Sequence, residues 1–161
     1  MHPNTQSTTV SAALHITRDD ETMARAIYPV LMDVIRRRAS IDLANLALAV
    51  RERCPEPEHP IYRLRPDDLP RPLQVLRAFT SPRGYPDMTC VVVKGAAPLT
   101  AEDYADPMRA AARAASFDWP SVEEQLALQC DEWRRDFEAG SDHLRTRNSQ
   151  TNSPKSRAVI R

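Results

Sequence analysis

The residues with the most obvious capacity for chemistry lie in one short run. Pro86-Asp87 is followed by Met88, Thr89, Cys90, Val91, Val92, Val93 and Lys94. Restriction-type nucleases use an Asp after a proline turn, then an acidic residue two positions before a lysine. The two carboxylates hold a divalent cation, and the lysine polarises the attacking water or the phosphate. Here the position two before Lys94 is Val92, and Asp87 stands only seven residues from Lys94. One carboxylate does not build that site, so the run reads as a turn, a buried strand and a solvated lysine.

A second set of residues suits binding rather than catalysis. Arg71, Gln74 and Arg77 recur every three positions, opposite Leu69, Leu73 and Leu76. Arg63, Arg65 and Arg83 flank them, so five arginines stand against Asp67 and Asp68 in this stretch. The guanidinium fork donates two parallel hydrogen bonds to a phosphate or to a guanine edge. Arg71, Gln74 and Arg77 are therefore candidate base or phosphate contacts, and Arg63, Arg65, Arg83 and Lys94 candidate phosphate contacts. The competing reading is the solvated face of an ordinary packing helix.

Other chemistries find little support. Three glycines in 161 residues leave no phosphate-cradling loop, and no Ser-His-Asp spacing appears. The odd set Cys54, Cys90 and Cys130 contains no CxxC pair and suits small buried thiols in a reducing compartment. His2, His15, His59 and His143 are scattered, so neither a metal nor another cofactor is expected. Glu123, Glu124, Asp131 and Glu132 read as helix-surface charge, and no catalytic residue is assigned. No apolar run approaches a membrane span, and no secretory pattern opens the chain, so a cytoplasmic location without membrane contact is expected.

Charge and periodicity divide the chain. It carries 22 basic and 22 acidic side chains, with no overall field to attract a polyanion. Residues 1–18 are polar and read as a disordered segment. Residues 19–140 form a single domain. Residues 141–161, with Arg145, Arg147, Lys155, Arg157 and Arg161 against Asp142, read as a disordered basic tail.

Within the domain, Met23, Ile27, Val30, Leu31, Val34 and Ile35 share one face of a first helix starting near Asp19, with Pro29 a point of kinking or late start. Residues 40–42 suit a small strand, and Asp42 caps a second helix that PEPEHP ends. A third helix opens at Asp67 or Asp68, with Pro70 and Pro72 in its first turn. Residues 88–93 are the most strand-like segment, and GAAP follows as a turn. Thr100 with Asp103 suits a short helix cap, and a helix is expected after Pro107. Residues 116–119 read as another strand. Ser121 with Glu124 caps a last helix carrying Leu126, Cys130, Trp133 and Phe137 on one stripe and ending at Gly140.

This order, three helices and a small two- or three-stranded sheet with an added C-terminal helix, is an α+β winged-helix-like arrangement. The run IYPVLMDVIRRRASIDLANLALAV resembles the start of a small winged-helix-like module of phage and mobile-element proteins. PLQVLRAFTSPRGYPDMTCVVVK resembles its middle and SFDW its end, so the likeness covers about residues 27–120. In that module a glycine-richer Thr-Gly turn follows the strand, where this chain has GAAPLTAEDY. The resemblance implies a non-catalytic module whose target is DNA or a partner protein. The first expectation is DNA contact through the third helix. The alternative is a protein-interaction or accessory module without nucleic-acid contact, associating with a partner or itself through the C-terminal helix.

Overall fold

A reciprocal cap starts the first helix. The Asp20 backbone N–H donates to the Thr17 hydroxyl (3.1 Å), and the Thr17 N–H donates to the Asp20 carboxylate (2.8 Å). The computed structural model describes residues 16–95, 97–98 and 105–150, with side chains described for 16–95 and 105–139. Ile16 is already buried, so the ordered chain begins before Asp19, where the sequence pattern put it. Residues 1–15 of the expected N-terminal segment lie outside the described residues.

Helix α1, Arg18–Arg36, runs unbroken through Pro29. Proline removes one internal hydrogen bond, at a cost of roughly 3 kcal/mol in a helix interior. Burial of Met23, Ala24, Ile27, Val30, Leu31, Met32 and Ile35 on both sides of Pro29 offsets it. The helix ends with the Arg38 N–H donating to the Ile35 carbonyl (2.9 Å) and the Ala39 N–H to that of Val34 (3.0 Å). Those two bonds close a Schellman motif, which puts Arg38 at φ 54, a conformation that favours glycine.

Strand β1, Ile41–Asp42, leads directly into α2, Leu43–Arg53. The Asp42 carboxylate accepts from the Asn45 N–H (2.9 Å) and so caps α2, as its position suggests. Residues 54–69 then form an irregular connection with two 3-10 turns, Pro60–Tyr62 and Pro66–Asp68. Arg51 of α2 fastens it, donating to the carbonyls of Ile61 (3.3 Å) and Leu64 (3.0 Å). Helix α3, Pro70–Thr80, follows and buries Leu73, Val75, Leu76 and Phe79.

The strand expected over residues 88–93 is corrected. Met88–Val91 form a 3-10 turn, and only Val92–Lys94 form strand β2. The cause is Asp87, whose Oδ1 accepts from both the N–H (2.8 Å) and the hydroxyl (2.7 Å) of Thr89 and curls the chain. Val91 and Val92 are buried as expected. Strand β3, Ala97–Pro98, stands where a plain turn was expected. It pairs antiparallel with β2, Lys94 opposite Ala97, and the chain reverses through Gly95 at φ 66. Strand β1 pairs with β2 in parallel, giving the order β1-β2-β3.

Helix α4, Pro107–Ser116, includes Pro107 as its first residue, where the sequence placed the helix after it, with Asp106 as its cap. The Thr100–Asp103 cap lies outside the described residues. No strand forms over residues 116–119. There the Trp119 indole N–H donates to the Ala114 carbonyl (2.9 Å) at the end of α4, and Phe117 lies 5.1 Å from Trp119 and 5.5 Å from Tyr85 between ring centroids.

Helix α5, Glu123–Gln150, opens after buried Val122 rather than at Ser121 and continues past Gly140. A glycine inside a helix costs only about 1 kcal/mol, too little to end one that its neighbours favour. Leu126 and Cys130 are buried, Trp133 packs at the core's edge, and Phe137 is exposed. Residues 141–150 of the expected tail are thus helical, and 151–161 lie outside the described residues.

The result is a helix-rich α+β fold. Helices α2, α3, α4 and α5 all pack on α1. Among the described residues no helix is long and apolar enough to cross a membrane.

Two predictions follow from this geometry. Arg38→Gly relieves the left-handed backbone and raises stability by about 1 kcal/mol in chemical denaturation, whereas Arg38→Val lowers it. The second concerns acid. The Arg53 guanidinium holds the Asp33 carboxyl below its ordinary value, and the Asn45 backbone N–H does the same for Asp42. Both folded-state values are depressed, so their contribution is complete above the ordinary carboxylate range and is lost as pH falls below about 4. Asp42→Asn keeps a cap acceptor, so its stability should fall less steeply than that of the native chain below that pH.

Candidate nucleic-acid interface

The leucine face of α3 is buried as its spacing requires, which turns Arg71 and Gln74 outward. The arginines on this helix are not simple solvated charges, however. Arg71 Nε lies 2.9 and 3.1 Å from the two carboxylate oxygens of Asp20, in the first turn of α1. Arg77 Nε lies 3.0 Å from Asp87 Oδ2. Each guanidinium is more exposed than its acid, 57% against 10% for Arg71 and Asp20, and 35% against 16% for Arg77 and Asp87. Asp87, weighed in the sequence as a metal ligand and set aside, holds Thr89 with one oxygen and Arg77 with the other. Among the described residues no group of three or more His, Cys, Asp or Glu side chains is arranged to hold a metal ion.

The remaining expected contacts separate into two places. Arg83 is turned towards α5. It donates to the Phe79 carbonyl and to Gln129 Oε1, both at 2.9 Å, with its guanidinium carbon 4.0 Å from the centroid of the Phe79 ring. That arrangement fastens α3 to α5 and gives Arg83 a packing role. Arg63 and Arg65 are exposed in the connection before α3, and the Arg65 N–H donates to the Asp68 carboxylate (2.9 Å). Lys94 is exposed at the tip of β2. It lines a cleft of about 420 Å³ with Asp42, Leu43 and Ala44 at the start of α2, Pro66 and Asp67 of the second 3-10 turn, and Pro70, the first residue of α3. The Asn45 N–H at the start of α2 is already given to Asp42, and Pro70 and Pro72 at the start of α3 carry no N–H, so Lys94 is the cleft residue that suits an anion.

A cavity of about 680 Å³ lies elsewhere, between Thr17 and Arg18 and the Asp131, Arg134 and Arg135 region of α5. Sequence reasoning missed Arg134. It joins α5 to α1 through Glu21 (3.1 Å) and also pairs with Asp131. It missed Asp20 and Asp87 as partners of the α3 arginines as well, because these pairs join residues 51 and 10 positions apart with no local periodicity to mark them.

No protein-family model matches the chain, and no curated protein or solved structure matches it.

The cysteines behave as buried thiols. Burial pushes both Cys90 and Cys130 up to about 12, and it raises half-buried Cys54 as well. Because the thiolate is the reactive form, a thiol reagent applied at about pH 8 should modify Cys54 slowly in the native protein. It should reach Cys90 and Cys130 only after denaturation. Prompt labelling of all three in the native state, read by intact mass, would contradict this packing.

Proposed function

We propose that this chain is a non-catalytic, winged-helix-like module that binds nucleic acid with the exposed face of α3 and the tip of the β2–β3 hairpin. The observation that carries the reading is the cleft in which Lys94, at the hairpin tip, adjoins the starts of both α2 and α3. A backbone phosphate there meets the lysine, while Arg71 and Gln74 lie on the outward face of the adjoining helix. Arg63 and Arg65 add charge in the connection before α3. The helix, strand, helix, helix, hairpin order supports the winged-helix comparison, as does the sequence resemblance to the phage and mobile-element module. The 16-residue connection of residues 54–69 is longer than a helix-turn-helix linker, so α3 is oriented by α1 rather than by a tight turn from α2. The structural duties of Asp87, in a turn and an ion pair, support the non-catalytic part. A cytoplasmic setting accords with three free thiols.

A second reading is a protein-interaction module. It is favoured by the internal pairing of Arg71 and Arg77 and by the large apolar side chains left exposed, Leu128 and Phe137 on α5 and Met108 on α4, the last 84% exposed.

Fluorescence anisotropy with a duplex of about 20 base pairs over a salt series separates the readings. Nucleic-acid binding should weaken steeply with salt. Lys94→Ala should reduce affinity uniformly across sequences and flatten the log–log salt slope by about 1. No binding at low salt, together with a salt-insensitive oligomer or partner complex lost on Phe137→Ala, would favour the second reading.

A further inference from the structure

The two ion pairs on α3 share a construction that bears on how such binding would be controlled. In each, the acid is the fixed member. Asp20 accepts from the Thr17 N–H (2.8 Å) and hydroxyl (2.9 Å), and Asp87 accepts from the Thr89 N–H (2.8 Å) and hydroxyl (2.7 Å). Both carboxylates are tied into backbone turns and largely covered, whereas both guanidiniums end long side chains nearer the solvent. The acids come from different segments, the first turn of α1 and the loop after α3. They meet arginines six positions apart, with Gln74 exposed between them.

From this geometry, and resting on the nucleic-acid reading above, we infer that Asp20 and Asp87 are built-in competitors for phosphate that hold the affinity of α3 down. A carboxylate and a phosphate oxygen ask for the same charge-assisted hydrogen bonds from a guanidinium. Binding then proceeds by exchange. The arginine swings from its acid to the incoming phosphate, and the acid stays in its turn, still satisfied by threonine. No backbone moves, and no bond is made or broken covalently. The exchange also turns a carboxylate that faced a guanidinium towards a polyanion, which opposes binding. Removing the acid's charge should therefore strengthen binding, the reverse of the usual outcome when an ion pair beside a binding surface is broken.

Asp87→Asn tests this with little disturbance, because the side-chain oxygen that holds Thr89 is kept while the oxygen facing Arg77 becomes an amide. Anisotropy with the same duplex should show affinity rising about five- to tenfold at moderate salt, and the log–log salt slope steepening by about 1, because no uncovered carboxylate takes up a salt cation on binding. Adding Arg77→Gln to Asp87→Asn should cancel both changes. Asp20→Asn, acting through Arg71, gives an independent second measurement. Asp118→Asn, an exposed acid beyond α4, controls for the unit change in net charge and should give a smaller gain with the slope unchanged. Unchanged or weaker binding by Asp87→Asn and Asp20→Asn, beside a native chain that binds, overturns the inference and leaves the nucleic-acid reading standing. If neither the native chain nor either variant binds at low salt, that reading falls and the inference falls with it.

Discussion

Burial of α1 is the constraint on which the other elements depend. Its apolar residues occupy enough of its circumference that four helices and the Met88–Val91 turn can all pack on it. A helix surrounded in this way is held by packing more than by local propensity, which is why a proline in its middle and a non-glycine residue at its left-handed end are both tolerated. Among the described side chains of the small sheet, Val92 alone is in the buried core. The sheet's main effect is directional, since pairing β1 beside β2 brings the start of α2 next to the hairpin tip.

The sequence discloses those parts of the fold whose signals are local. Asp42 as a cap, the leucine face of α3 and the prolines at its start can be read from neighbouring residues, and each is found. Errors arise where a side chain several positions away, or a competing local bond, decides the outcome. The valines before Lys94 have the composition of a strand, but the Asp87–Thr89 bonds use the first half of that run for a turn. Residues 116–119 have strand-forming rings, but in the fold the rings pack on one another and on Tyr85, and the segment joins no sheet. Gly140 carries a stop signal that is weaker than the helical preference around it.

The candidate interface is legible to the same degree. Spacing alone turns Arg71 and Gln74 outward, and a terminal lysine on a short strand is expected to be solvated. Which arginines are already engaged cannot be read from spacing. Arg83 looks like a flanking phosphate contact and is instead a clasp between α3 and α5. Arg71 and Arg77 look like bare charge and each meets an acid of its own chain. Local surplus of basic residues therefore overstates the positive field of this surface, because much of it is compensated by acids that only the tertiary fold brings near.

The route between α2 and α3 has a bearing on how this architecture can vary. Arg51 reaches out to two carbonyls of that route, while the orientation of α3 is governed by its packing on α1. The peptide ahead of those anchors, around Pro55 to Pro60, carries no responsibility for where α3 points. Lengthening, trimming or grafting a foreign loop at that bend is the kind of remodelling the molecule would absorb with least disturbance to its helices.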